Sequence, residues 1–304
     1  MKEVGKIWMN GKLVPFKDAK VHVLTHALHY STAVFEGIRC YNTSNGSAIF
    51  RLPEHVDRFF NSAKLYGMKI RYTKKQILDA IIRTVKASGL KECYIRPIAY
   101  YGYGTMGLTP TLNRVDVSIS CWEWKMGESK AGKFSGAKCK ISKWVRIDSR
   151  SQPMQAKSAA NYSNAALARV EALKSGYDEA IMLNSSGKVA EGSAENIFII
   201  KSGIIKTPPL NADILNGITR DSVIRLIKAN GIKLVEKNIT VKELFKADEV
   251  FMTGTAAEVK SVSKINKILI GNGKMGKITK TLQKSFMDAA MGKDQRFTSW
   301  LQYI

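Results

Sequence analysis

The chain has 304 residues with 48 Lys+Arg against 25 Asp+Glu, a formal net charge of +23, and 45% hydrophobic residues. This is enough chain for two domains with substantial cores, and the composition excludes a disordered or collagen-like protein. The apolar runs are too short to span a bilayer, and MKEVGKIWMN lacks a secretory apolar stretch, so a cytoplasmic protein without membrane partners is expected.

Cys40, Cys93, Cys121 and Cys139 are scattered and form no C-x-x-C pair, which points to reduced, buried thiols rather than a disulfide framework or zinc site. The lysines are spread along the whole chain. They read as a solvated surface that attracts small anions and sticks to nucleic acid at low salt, not as a dense nucleic-acid-binding block. A non-catalytic basic nucleic-acid-binding protein remains an alternative, and no specific nucleic-acid partner is expected.

In chain order, IWMNGKLV places Asn10-Gly11 between two apolar runs, a hairpin signal. SNGSAIFRL gives another turn and strand, with His22 in a strand before it. Pro53 opens the helix PEHVDRFFNSAKLYG, with His55 on its face and Gly67 past its end. Thr73 with Gln76 predicts a capping box for a second helix that stops at Gly89; Ile77, Leu78, Ile81, Ile82 and Val85 form its apolar face. Residues 93–102 and 115–124 read as buried strands joined by a loop. The segment KMGESKAGKFSG, 125–136, reads as an interdomain linker.

Strand 138–147 restarts the pattern, and a helix over SNAALARVEALKSG follows. Then come strands EAIMLN and AENIFIIK, a helix RDSVIRLIKAN capped by Thr219, strand 248–255 and a final helix 277–291. The expected architecture is mixed α/β (α+β), with a small N-terminal domain over 1–124, the linker, and a larger C-terminal domain over 137–304.

Lys157 sits among small residues in MQAKSAANY. Glu191 begins a strand, Thr219 lies beside glycine at a helix start, and Thr255 follows a strand end. Free backbone amides at such places suit a phosphate. A lysine, a carboxylate and a phosphate cradle are what pyridoxal 5'-phosphate requires: Schiff-base formation, a protonated pyridine nitrogen and anchorage. Each feature alone fits a plainer reading. Lys157 would be an exposed lysine, Glu191 a surface carboxylate and Thr219 a helix cap.

Seven ordered stretches decide between these readings: HALHYSTAVFEGIRCY, EHVDRFFNSAK, YIRP, AKSAANY, EGSAENIF, GITRD and EVFMTGTAAE. Together they resemble the branched-chain amino acid aminotransferases of the class IV, D-amino acid aminotransferase-like group (pyridoxal phosphate fold type IV). The resemblance covers nearly the whole chain.

It implies that Lys157 forms the Schiff base and shuttles a proton, that Glu191 pairs with the pyridine N–H, and that Tyr162 hydrogen-bonds the cofactor's phenolic oxygen. Arg58, Ile218, Thr219 and Thr255 match the phosphate contacts, and Leu215 packs on the ring. Phe35, Gly37 and Tyr94 match an apolar side-chain pocket. Gly254, Thr255 and Ala256 match the turn that holds the substrate carboxylate, and Arg96 matches the receptor of glutamate's second carboxylate. Tyr30 and Leu108 match residues lent by a neighbouring subunit, which implies a homodimer or higher oligomer. The implied reaction moves the amino group of L-leucine, L-isoleucine or L-valine to 2-oxoglutarate. A D-amino acid aminotransferase or aminodeoxychorismate lyase is the alternative on the same fold.

Three departures stand out. Ser158-Ala159-Ala160 replaces the glycines relatives carry after the lysine, the linker lacks their aromatic residue, and Asn216 precedes GITRD. His26 and His29 lack acidic or thiol companions and read as structural, with no metal expected. Arg39 also reads as structural. Trp122 and Trp124 read as core or hinge packing. Tyr100, Tyr101 and Tyr103 suit either a pocket mouth or a domain interface.

Overall fold

A computed structural model describes residues 5–124 and 136–304. The proposed linker 125–136 lies outside these residues except for Gly136. The chain divides into two compact units. The first takes in Met1–Met126, Ala156–Ala160 and Ala289–Ile304; the second takes in Gly127–Gln155 and Asn161–Asp288. Two short segments that follow the N-terminal domain in sequence are therefore built into the first unit, the one carrying Lys157 and the C-terminus.

The first unit contains β1 (Lys6–Met9), β2 (Lys12–Pro15), α1 (His26–Tyr30), β3 (Ala33–Phe35), β4 (Ile38–Thr43), β5 (Gly46–Phe50), α2 (Leu52–Leu65), α3 (Lys74–Ser88), β6 (Cys93–Tyr101) and β7 (Val115–Glu123). Its strands pair in the order β5-β4-β6-β7-β1-β2, with β3 also on β6. Asn10 and Gly11 take φ of 48° and 99°, the conformation a tight hairpin needs and glycine tolerates best. The Thr73–Gln76 capping box is present, and Gly89 closes α3 at φ 68°.

In β7, Val115, Val117, Ile119 and Cys121 alternate inward. They meet Val56 and Phe59 of α2 and Ile77, Ile81 and Val85 of α3 in one core. Each such aliphatic side chain contributes about 1.5–3 kcal/mol when fully buried. His22 lies in irregular chain rather than the expected strand, and pairs its ring edge-on with Tyr103 at 4.7 Å.

Proline inside β6 explains a break that matters for the site. Pro97 has no N–H to give. On that side β3 pairs with β6 only as far as Phe35↔Ile98, and β4 resumes at Ile38↔Ile95. Glu36 and Gly37 bulge out between them, with the Glu36 amide donating to the Pro97 carbonyl at 2.8 Å.

The second unit contains β8 (Ala137–Ile141), most of α4 (Ala159–Lys174), β9 (Glu179–Leu183), β10 (Val189–Gly192), β11 (Asn196–Lys201), β12 (Ile204–Thr207), α5 (Ile218–Ala229), β13 (Leu234–Glu236), α6 (Val241–Phe245), β14 (Glu249–Gly254), β15 (Glu258–Ile265), β16 (Ile268–Leu269) and most of α7 (Lys277–Ala290). The order is β10-β9-β8-β15-β14-β11-β12-β13, with β16 on β15. The expected strand over 138–147 ends at Ile141, because the chain turns where Ser142 and the Lys143 amide both bind Glu171. β15 was not expected from the sequence. It is half polar on one face and is specified by pairing with β14.

The chain ends in β17 (Leu301–Tyr303), which pairs with β5 and completes the first sheet. Trp300, just before it, accepts the Arg51 amide at its carbonyl (2.6 Å) and lies under the Arg51 guanidinium at 5.2 Å. Arg51 starts α2 in a left-handed conformation at φ 50°, which is costly for a side chain other than glycine. The C-terminal segment thus holds the start of α2 in place.

Candidate active site

In the first unit, residues 156–160 lie against β3. The Phe35 amide donates to the Lys157 carbonyl at 2.9 Å, and Ser158 bridges to Val34. The Lys157 amide donates to Ser62 Oγ at 3.0 Å. Lys157 is therefore not an exposed lysine at a helix start. It is half-buried on a strand-like segment two residues before α4, and its Nζ lies 5.0 Å from the centre of the Phe35 ring. Ser158 is fully buried and shares a 2.8 Å hydrogen bond with Tyr66 Oη. The buried hydroxyl is thereby satisfied.

Phe35 also carries Arg96. The guanidinium lies 4.7 Å from the Phe35 ring centre, 5.4 Å from Tyr94 and 5.7 Å from Trp122. Tyr94 stacks on Trp122 at 5.0 Å and meets Trp124 at 5.4 Å. Arg96 Nε is buried without a hydrogen-bond partner among the described residues. A Cβ on Gly37 would come within 1.9 Å of Tyr94 Oη, so glycine is what admits the phenol there. The expected pocket residues Phe35, Gly37, Tyr94 and Arg96 thus form one aromatic wall bearing a cation.

Beside this wall, the fully buried Glu36 receives Arg58 Nε on Oε1 at 2.7 Å, and Arg58 Nη2 on Oε2 at 2.9 Å. His55 Nδ1 reaches Oε2 at 2.7 Å. Burial pushes the Glu36 carboxyl up, but the charges and hydrogen bonds of Arg58 and His55 outweigh it and hold the group well below the usual carboxylate range. Burial lowers the His55 imidazole below its ordinary value, Glu36 opposes this in part, and Arg58 and Lys157 add to it. Sequence reading assigned Arg58 but missed Glu36. The only local sign was the glycine after it, next to a strand.

Tyr30 and Leu108 are exposed, Leu108 at 80%. Tyr30 Oη donates to the Met106 carbonyl at 3.0 Å. His26 is buried between Thr32 Oγ1 at 2.8 Å and the Gly107 carbonyl at 2.9 Å. Tyr101 belongs to the core, its hydroxyl on the Gly67 carbonyl at 3.2 Å. Buried Tyr100 is pushed up to about 12 by desolvation and Asp116. Arg39 is buried with its guanidinium 5.1 Å from the Tyr41 ring.

In the second unit, Glu191 is buried in β10 rather than on the surface. Arg146 Nη2 meets Oε1 at 2.7 Å, Asn196 Nδ2 donates to Oε2 at 2.9 Å, and the Leu215 amide donates to Oε2 at 3.2 Å. Asn196 Nδ2 also reaches the Leu215 carbonyl at 2.9 Å. A Cβ on Gly217 would lie 2.0 Å from Asn196 Oδ1, so this glycine lets the turn into α5 pass the network. Arg146 and Asn196 were missed from sequence. Asn196 was within reach, since it closes the EGSAEN turn after Glu191.

Thr219 does not cap α5. Gly217 takes that position, no side chain caps the helix, and Ile218 and Thr219 are its first two residues, both buried. A glycine cannot supply the side-chain oxygen that normally satisfies a first-turn amide. Gly254 ends β14, and Thr255 and the exposed Ala256 follow in the turn. The buried Thr253 Oγ1 lacks a hydrogen-bond partner among the described residues. Tyr162 lies in the first turn of α4, half-buried.

The structure thus gathers the expected residues in two sets: Lys157, Phe35, Gly37, Tyr94, Arg96 and Arg58 in the first unit, and Glu191, Leu215, Ile218 and Thr219 in the second. Among the described residues no helix is long and apolar enough to cross a membrane.

A profile of the amino-transferase class IV family matches residues 33–265. The branched-chain-amino-acid aminotransferase of Pseudomonas aeruginosa is 45% identical over 296 residues, covering 97% of this chain and 96% of the relative. The T.th. branched-chain amino acid aminotransferase is 44% identical, covering 100% of this chain and 99% of that one, with a TM-score of 0.97 for its structure with pyridoxamine 5'-phosphate. Its structures complexed with N-(5'-phosphopyridoxyl)-L-glutamate and with 4-methylvaleric acid each give a TM-score of 0.95. The chain belongs to the class IV aminotransferases and, within them, to the branched-chain-amino-acid aminotransferases.

Proposed function

We propose that this protein transfers the amino group of L-leucine, L-isoleucine or L-valine to 2-oxoglutarate in two half-reactions at one site, with pyridoxal 5'-phosphate as cofactor. The observation that carries the substrate reading is the aromatic wall of Phe35, Tyr94 and Trp122 with Arg96 lying on it. An aliphatic side chain finds apolar surface there, and the second carboxylate of glutamate finds a planar guanidinium with an unmatched Nε–H. The T.th. relative, with both a glutamate adduct and a leucine-like acid among its complexes, supports this dual use.

The residues present fit the cofactor. The buried start of α5 has no side-chain cap, which suits a phosphate. Glu191 is a buried carboxylate held in place, and Lys157 is a half-buried amine. Bound there, the cofactor supplies an aldehyde that carries the amino group and a ring that takes up electrons from the substrate Cα.

Lys157 would hold the aldehyde through its amine and would move the Cα proton. Glu191 keeps the ring nitrogen protonated, and Tyr162 binds the phenolic oxygen. Arg58, Ile218, Thr219 and Thr255 take the phosphate, and Leu215 packs on the ring. Gly254, Thr255 and Ala256 hold the substrate carboxylate. Tyr30 and Leu108 serve the site of a second copy, which makes the working unit at least a homodimer. The protein acts in the cytoplasm.

The test is spectroscopic. The purified protein is expected to carry a visible absorption band that bleaches with L-leucine and returns with 2-oxoglutarate. Bleaching by D-alanine alone would overturn the substrate assignment.

A further inference from the structure

We propose that Glu36 is a positioning residue for Arg58: it sets the plane and direction of the guanidinium that grips the cofactor phosphate, and His55 in turn sets Glu36. The inference rests on the assignment of Arg58 to that phosphate.

Three observations carry it. First, Glu36 has no solvent access, and its place is fixed by the backbone, because the bulge opposite Pro97 projects it out of the sheet. Second, Glu36 meets one edge of the guanidinium with two bonds, Nε to Oε1 at 2.7 Å and Nη2 to Oε2 at 2.9 Å. A two-point planar pairing fixes orientation as well as distance. Third, His55 and Arg58 stand three residues apart on α2 and converge on the same carboxylate, with His55 Nδ1 at 2.7 Å and the Gly37 amide at 3.2 Å from Oε2. Oε2 is held from three directions and cannot swing away with the arginine.

Charge sharpens the reading. A carboxylate beside a phosphate-binding arginine weakens the attraction of that arginine for an anion. A buried ion pair is also seldom more stabilising than a well-packed apolar pair of the same volume. Neither attraction nor stability alone accounts for a carboxylate at this place, whereas orientation does. A guanidinium fixed before binding loses less entropy when it closes on the phosphate.

The test compares the dissociation constants of pyridoxal 5'-phosphate and of pyridoxal, which lacks the phosphate, by absorbance titration of the full-length chain freed of cofactor. The constant for pyridoxal divided by the constant for pyridoxal 5'-phosphate isolates the phosphate grip from the rest of the site. Glu36→Gln is expected to lower this ratio on the order of tenfold, mainly through the phosphorylated form. Arg58→Ala is expected to lower it further, and adding Glu36→Gln to Arg58→Ala is expected to change nothing more.

If Arg58→Ala lowers the ratio and Glu36→Gln does not, the positioning role is overturned while Arg58 keeps its assignment. If Glu36→Gln weakens both aldehydes equally, its role is structural only and the proposal fails. If Arg58→Ala leaves the ratio unchanged, the phosphate assignment falls and takes the inference with it. Should Glu36→Gln not fold, Glu36→Asp keeps the charge but draws the carboxylate back, and the same ratio decides.

Discussion

Each unit buries a carboxylate–guanidinium pair, and the two pairs differ in which member carries the proposed role. In the first unit Glu36 and Arg58 are joined, and the arginine is the member assigned to the cofactor. In the second, Arg146 and Glu191 are joined at 2.7 Å, and the carboxylate is the assigned member. In the first unit an anion holds the assigned cation; in the second a cation holds the assigned anion. A lone buried charge would cost several kcal/mol, so each working group brings its own counter-ion from its own unit. The surroundings differ accordingly. The first unit surrounds its cations with rings, as Lys157 and Arg96 share Phe35, while the second surrounds its carboxylate with N–H donors from Asn196 and Leu215.

The comparison predicts a hierarchy of losses. Lys157→Ala removes the amine that both binds and moves a proton, and turnover is expected to fall roughly a thousandfold or more. Cofactor still binds but is not covalently attached, which borohydride reduction and peptide mapping would show; near-normal turnover would remove Lys157 from its role.

Arg146→Met leaves Glu191 buried beside an apolar chain, and is expected to destabilise the second unit by about 3–5 kcal/mol. Calorimetry should show that loss, and a loss below about 1 kcal/mol would mean the pair is not coupled as described. Gly217→Ala drives a methyl against Asn196 Oδ1. The overpacking is expected to cost about 1–3 kcal/mol, seen as a lower urea midpoint with weaker cofactor binding.

Acid should separate the halves more gently. Both Glu36 and His55 have values lowered in the folded chain. The unfolded chain therefore takes up protons first, and the stability they contribute is lost as pH falls. The decline should begin below the ordinary imidazole value of 6.5 and steepen below the ordinary carboxyl value of 4.5. His55→Gln should flatten the upper part of that profile. The smallest effect is expected for Ser158→Gly, which gives up the bond to Tyr66 and should cost about 0.5–1.5 kcal/mol with little change in turnover.

Much of the fold was legible because its signals are local. Asn10-Gly11, the Thr73–Gln76 box and the inward alternation of β7 each depend on neighbours within a few residues. Lys157, Glu191 and Arg58 were legible as parts of ordered motifs. The α5 cap was misread, since a threonine beside a helix start looks like a cap, whereas Gly217 holds that position to clear Asn196. β17 is only three residues long and becomes a strand through its partner β5.

By itself, then, the amino-acid order determined the local elements, the mixed α/β class and the candidates proposed as the reactive amine and the ring-facing acid. Only the tertiary structure decided what holds them. Residues 156–160 become part of the first unit by bonding to Phe35 and Ser62, and Glu36 and Arg146 reach partners far along the chain. The physical reason is range. Turns, caps and alternation are settled by adjacent backbone, whereas a buried charge is settled by whichever counter-charge the folded chain brings beside it.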